Sequence, residues 1–335
     1  MKYFRLTALF VLAFSAWTCS TDFVLEAEWK DIPVVYAFLD PTDSVHYVRV
    51  EKAFLEEGGD ALEIARIPDS LYYENATVQL QKIGSSILYT LERVDGNLEG
   101  FPREDGVFAT APNYLYKIRQ SNINLDGGDQ VRFLLKRGDE LPVVTAEIVM
   151  LDPIVPLQNQ PPNPINFSTY ERAINVSFNP GPHAQLFDIR WIIHYMENTP
   201  ENPQQFVSKT LTWVLQSRLE REEGGANSIL QRVQSEDFFL FLAGSLDADP
   251  NRVRKFENID IQITAVGQEL ADYIRVSGAN LGITSSNQIP VYTNLSEGRG
   301  LFSSRTDILL TGYQLNDASL TLLKTGPLTQ NLNFQ

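Results

Sequence analysis

Short segments in which every second residue is apolar, parted by turn residues, recur through the first half of this chain. Period-two alternation places one set of side chains on one strand face, so each segment demands a sheet with a covered side. Residues 45–50 alternate valine with polar residues, and Val34-Val35-Tyr36-Ala37-Phe38-Leu39 precedes them across the turn Asp40-Pro41-Thr42-Asp43. The two read as a hairpin or as neighbouring strands. Further strands are predicted over 77–83, 87–93, 114–120, 130–136 and 143–149, with Asp126-Gly127-Gly128-Asp129 as a turn. Glycine supplies positive φ there without steric cost. Residues 58–68, with Ala61-Leu62-Glu63-Ile64-Ala65, interrupt the series as a short helical or loop insertion.

Strands of this length at this spacing predict a mainly β chain, opening with an immunoglobulin-like antiparallel β-sandwich over residues 32–151. Residues 152–165 hold five prolines, at 153, 156, 161, 162 and 164. Proline removes backbone donors and favours extended chain, so this segment is expected as a stiff spacer. A second β-rich domain is expected over 166–325. Its strand Phe187-Asp188-Ile189-Arg190-Trp191-Ile192-Ile193-His194-Tyr195 follows Asn179-Pro180-Gly181-Pro182, an order that resembles the early strands of fibronectin type III domains. Residues 209–216 and 259–266 alternate as further strands. Two packed helices are predicted, near 235–246 and 268–277, which gives this domain an α+β character. Ser235 is the expected cap of the first, with Glu236 and Asp237 in its positive first turn. Leu270, Tyr273 and Ile274 share one face of the second. Residues 326–335 are left as a C-terminal tail.

The N-terminus bears on location. Lys2 and Arg5 precede the apolar run Leu6-Thr7-Ala8-Leu9-Phe10-Val11-Leu12-Ala13-Phe14-Ser15-Ala16. That run falls short of the roughly 20 residues a membrane helix needs and fits a secretory leader. Cys19 follows and is the chain's single cysteine, so no disulfide can form within one molecule. A bacterial lipoprotein leader is cut just before a cysteine, whose thiol takes the lipid. Trp17 and Thr18 depart from the usual Leu-(Ala/Ser)-(Gly/Ala)-Cys pattern. The expectation is a signal peptide over 1–19, a lipidated Cys19 and a tether over 20–31. Losing Lys2 and Arg5 moves the net charge from −15 to −17. Such acidity argues against nucleic acid, which calls for clustered Lys and Arg, and suits a body held at a surface through its lipid.

Chemistry-bearing constellations are sparse. His46, His183 and His194 are the three histidines, none paired with Glu at zinc spacing. His46 and His194 lie in alternating strands and read as sheet-face residues. No Gly-x-Ser-x-Gly elbow or Gly-rich phosphate loop occurs; Ala243-Gly244-Ser245 and Gly282-Ile283-Thr284-Ser285 match neither. Asp247, Asp249 and Asn251 space oxygens as a calcium loop begins, but Arg252 replaces the glycine and Asn258 the closing glutamate. A turn after the helix explains them more simply. Glu56-Glu57 and Glu222-Glu223 read as solvated loops. Asn75, Asn166, Asn175 and Asn294 begin Asn-x-Ser/Thr triplets, which matter only in a eukaryotic secretory route. No catalytic, cofactor or metal residue is assigned, and no cofactor is expected.

The stretch Ile289-Pro290-Val291-Tyr292-Thr293-Asn294, with Gly298-Arg299-Gly300-Leu301-Phe302-Ser303-Ser304-Arg305, resembles the ending of Bacteroidota lipoproteins of the domain-of-unknown-function four-two-four-nine type. Val34 to Pro41, Tyr47-Val48-Arg49-Val50, Lys52-Ala53-Phe54-Leu55, Asp237-Phe238-Phe239, Asp249-Pro250-Asn251 and Gly267-Gln268-Glu269-Leu270 are similar too. The resemblance covers most of the mature chain. It implies a non-enzymatic outer-membrane lipoprotein, often associated with TonB-dependent receptors, and supplies no catalytic residue. From the residues alone, the ending reads as a structural lock. Gly298 and Gly300 permit unusual backbone, Leu301-Phe302 plug the core and Arg305 pairs with an acid. The alternatives are an envelope scaffold, whose binding surface is flat and apolar, and a hydrolase with convergent carboxylates in a cleft.

Overall fold

The alternation of the first half becomes paired strands in the computed structural model, which describes residues 32–53, 63, 65–138, 140–199, 202–221, 228–279 and 291–335. The leader, Cys19, the tether, most of the 58–68 insertion, Glu56-Glu57, Glu222-Glu223 and 282–285 lie outside the described residues. Strands β1 (Ile32–Leu39) and β2 (Val45–Ala53) pair antiparallel. Asp40 closes their turn, its Oδ1 accepting from the Thr42 N–H at 2.8 Å and the Thr42 hydroxyl at 2.7 Å. The series continues with the short helix α1 (Pro68–Leu71), β3 (Thr77–Lys82), β4 (Tyr89–Thr90), β5 (Glu92–Asp95), β6 (Tyr114–Arg119), the short helix α2 (Gln120–Ile123), β7 (Gln130–Lys136) and β8 (Val144–Val149). The strand expected over 87–93 is split at Leu91. Its two parts join different sheets, β4 beside β3 and β5 beside β6.

The sheet β4-β3-β7-β8 packs on β1, β2 and β6. Alternate residues meet between the layers: Val35, Ala37 and Leu39 from one, Val78, Leu80 and Phe133 from the other, all buried. Each fully buried aliphatic contributes about 1.5–3 kcal/mol of transfer free energy. The fold is mainly β, with 46% of the described residues in strands against 16% in helices.

The second half adds β9 (Val155–Pro156), β10 (Ala173–Asn179), β11 (Leu186–Thr199), β12 (Asn202–Glu220), β13 (Ile229–Gln234), α3 (Ser235–Ser245), β14 (Arg254–Val266), α4 (Gln268–Ala279), β15 (Arg299–Tyr313) and α5 (Asp317–Thr325). Helices α3 and α4 stand where periodicity placed them. Ser235 does not cap α3: it is the first helical residue, fully buried, and its hydroxyl donates to the Phe167 carbonyl at 3.4 Å. The third helix, α5, is an addition; Asn316 caps it by accepting from the Ser319 N–H at 2.9 Å. Trp191, fully buried on β11, stacks near Phe167 and meets Trp213 of β12 edge-on at 5.8 Å. Phe238, Phe239 and Leu242 of α3 close this second core.

Strand β15 joins the two cores. Its first residues, 299–304, run parallel to β1 from Val34↔Arg299 to Leu39↔Ser304, and 305–313 run antiparallel to β14. One sheet therefore reads β12-β11-β14-β15-β1-β2-β6-β5 across both halves. The layer over 32–151 is thus not wholly antiparallel, and a C-terminal strand completes it. The expected spacer is packed: its Ile154 and Ile165 enter the second core, and β9 pairs with β10. The expected tail is packed as well, with Leu332 and Phe334 buried and Phe334 bridged to Arg254.

The glycine-rich ending makes the crossing possible. Gly298 and Gly300 have φ of +105° and +103°. A Cβ on Gly300 would lie 1.9 Å from the Val35 carbonyl oxygen, and one on Gly298 2.2 Å from that of Pro33. Asn294 acts as a surrogate strand: its Nδ2 donates to the Phe302 carbonyl at 2.6 Å and its Oδ1 accepts the Phe302 N–H at 3.1 Å. Phe302 is fully buried against Phe133, and the Ser304 hydroxyl donates to the Leu39 carbonyl at 2.9 Å while accepting the Leu151 N–H at 3.0 Å. Arg305 does not pair as expected: it is exposed and forms no ion pair among the described residues.

Candidate functional site

Val34-Val35-Tyr36-Ala37-Phe38-Leu39 is apolar on both parities, so β1 carries apolar side chains on both its faces. The odd set faces the core. Tyr36 and Phe38 face outward, 42% and 38% exposed. An aromatic side chain buries 150–250 Å², so half-exposure leaves about 2 kcal/mol of burial unrealised per ring. Tyr47 and Arg49 extend the same face on β2.

The loop between β5 and β6 folds over this face and supplies Phe101, whose ring meets Tyr47 edge-on at 4.8 Å. Asn113, fully buried, holds the loop down, its Nδ2 donating to the Phe101 carbonyl at 2.7 Å and to Asn97 Oδ1 at 3.1 Å. Arg49 donates to Asn113 Oδ1 at 2.7 Å and to Glu51 at 3.1 Å, and Arg103 pairs with Glu51 too. The Tyr47 hydroxyl donates to Glu99 at 2.9 Å, and Lys117 pairs with the same carboxylate. Hydrogen bonds from Lys117 and Tyr47 hold the Glu99 carboxyl below its usual range, while burial and the bond to Glu99 push the Tyr47 phenol up. The result is a shallow groove of about 280 Å³ between Tyr36, Phe38, Tyr47 and Phe101, with Asp43 and Arg305 at its margin. Rings held by a hydrogen-bonded polar network form a preorganised surface.

Other residues singled out in the sequence have structural partners. His46 is buried and its Nε2 shares a 2.7 Å hydrogen bond with Gln120 Oε1; His194 pairs with Asp260 at 2.9 Å and His183 with Asp152 at 3.3 Å. Asp249 accepts the Asn251 N–H at 2.9 Å and meets Arg252 at 3.5 Å, and the Asp247 carbonyl accepts from Arg254 at 3.1 Å. Arg254, 1% exposed, also pairs with Glu197 at 2.7 Å and donates to the Leu332 carbonyl at 2.8 Å. The 247–251 segment is thus a turn engaged by arginines. No cluster of three metal-ligating side chains occurs among the described residues, and no described helix is long and apolar enough to cross a membrane. Cys19 lies outside the described residues.

No family model matches the chain. No curated protein matches it either. Solved structures similar to it include the first to third fibronectin type III domains of chicken CNTN1, at 10% identity and TM-score 0.18, covering 84% of this chain and 67% of that one. The chicken interferon gamma receptor alpha chain is similar at 9% identity and TM-score 0.19, covering 71% and 89%. A bacterial ice-binding adhesin is similar at 11% and 0.19, covering 86% and 66%. At these scores the architecture rests on the strands themselves.

Proposed function

We propose that this chain is a non-enzymatic lipoprotein, held at the outer membrane through Cys19, that serves as an accessory binding protein of a TonB-dependent transport or other envelope complex. The observation that carries the reading is the exposed Tyr36–Phe38–Tyr47–Phe101 face with Arg49 beside it. Tyr and Arg anchors dominate protein interfaces, and this face is preorganised without being covered by the chain's own described residues. The lipid anchor draws its support from the leader-like N-terminus and the single cysteine.

The test is affinity capture from detergent-solubilised membranes using wild type, Cys19→Ala and Tyr36→Ser/Phe38→Ser. Wild type is expected to bring down a defined outer-membrane transporter. Cys19→Ala is expected in the soluble fraction. The double variant is expected to stay at the membrane and lose the transporter at least tenfold. Equal capture by the double variant would overturn the role of the aromatic face, and a membrane-bound Cys19→Ala would overturn the anchor.

A further inference from the structure

The large sheet ends on one side at β5, four residues long, and on the other at β12, nineteen residues long. The edges of the smaller sheets, β4, β8, β9 and β13, have six residues at most. Strands in globular proteins run to roughly 3–10 residues. Edge strands are commonly kept short, charged or bulged, because an edge offers unpaired N–H and C=O groups to any other strand. Among the described residues, nothing takes up the open-side backbone groups of residues 204–217 of β12.

Protection of this edge is confined to its ends. Pro203 stands at the start, the register against β11 shifts beyond Val214, and Arg218 has φ of +56°. From Asn198↔Phe206 to Arg190↔Val214 the register is uniform, so Phe206 to Val214 is a regular edge about 30 Å long. Lys209 is its only charge. From Asn202 to Leu219 β12 has no Asp or Glu, on a chain of 42 acids and 27 bases. The acidic excess that keeps two copies apart is thus absent from this edge. Val207 and Val214 are 46% and 49% exposed. Beneath the edge a groove of about 490 Å³, lined by Trp213, Leu215, Leu240 and Phe241, lies open between β12 and β13.

Only one antiparallel register pairs the whole regular stretch with itself. It sets Phe206 opposite Val214, Val207 opposite Trp213, Ser208 opposite Thr212 and Lys209 opposite Leu211, with Thr210 facing its own copy. Opposite residues share parity, so each pair falls on one face of the joined sheet. Apolar meets apolar and hydroxyl meets hydroxyl, while the Lys209 stem lies along Leu211 with its ammonium in water.

We propose that two copies of this chain pair through β12 about a two-fold axis at Thr210, joining their eight-stranded sheets into one. The proposal is independent of the receptor reading, since β12 carries no residue of the aromatic face.

Light scattering after size exclusion of the mature chain is expected to give twice the mass of one chain, falling toward one on dilution. Thr210→Asp sets two carboxylates directly opposite each other and is expected to weaken the dimer at least tenfold, with an unchanged far-ultraviolet circular dichroism spectrum as the control for folding. Residues 20–335 contain no cysteine, so Thr210→Cys is expected to form a covalent dimer under mild oxidation with copper phenanthroline. Thr212→Cys, which faces Ser208 rather than its own copy, is expected to do so at least tenfold more slowly. A single-chain mass at every concentration, an unweakened dimer in Thr210→Asp, or equal crosslinking at 210 and 212 would overturn the proposal.

Discussion

Two atoms govern whether β15 can lie against β1. The hydrogens on the Cα of Gly300 occupy space in which a methyl group would sit 1.9 Å from the Val35 carbonyl oxygen, and φ of +103° excludes most side chains independently. Gly300→Ala is expected to cost roughly 3 kcal/mol or more, the sum of backbone strain and a contact with rigid backbone that cannot yield. Equilibrium urea unfolding would read this as a lower midpoint at unchanged slope. An unaltered midpoint would mean that the strands part at Gly300 without penalty. The lock was legible in the sequence because two glycines flanking one arginine are hard to explain otherwise. Tyr36 and Phe38 were legible only as part of an apolar run. Its apolar content on both parities was the signal that one set would face outward.

Among the elements, α4 combines a legible position with an illegible consequence. Its apolar spacing placed it correctly, and Glu269 stands in its first turn. Packing against β15 half-buries the Glu269 carboxyl, where the Ser303 hydroxyl donates to it at 3.0 Å. Burial raises its pKa above the ordinary glutamate value, and nearby Asp272 adds to the rise, while hydrogen bonds from Ser303 and its own backbone N–H partly offset it. The folded state therefore holds this proton more tightly than the unfolded chain. Stability from the group is fully present below the unfolded pKa and is lost as pH rises through the folded one. Glu269→Gln keeps an acceptor for Ser303 and removes the charge. It is expected to raise the thermal midpoint at pH 7 relative to wild type, with the difference shrinking toward pH 4. A variant no more stable at pH 7 than wild type would count against the burial account.

At the scale of the whole molecule, two cores share one strand, so neither half closes alone. A fragment of residues 32–151 lacks the β15 neighbour of β1 and the Phe302 ring opposite Phe133. It is expected to give no cooperative thermal transition by near-ultraviolet circular dichroism, whereas the mature chain gives one. A sharp transition in the fragment would show that the first sandwich is self-sufficient. What the sequence determined by itself is local: the strand segments, the Asp126–Asp129 turn, the helices after Gln234 and Gly267, and the glycine lock. Alternation, capping residues and turn chemistry act within a few residues and leave a pattern that can be read. What only the tertiary structure decided is partnership: β15 beside β1, the packing of 152–165 and 326–335, and the outward aromatic face. Those choices join groups as far apart as Ser304 and Leu39, 265 positions along the chain. Strand pairing itself is made by backbone N–H and C=O groups that all residues offer nearly alike, proline lacking the N–H, so the sequence carries no local mark of which strands will meet.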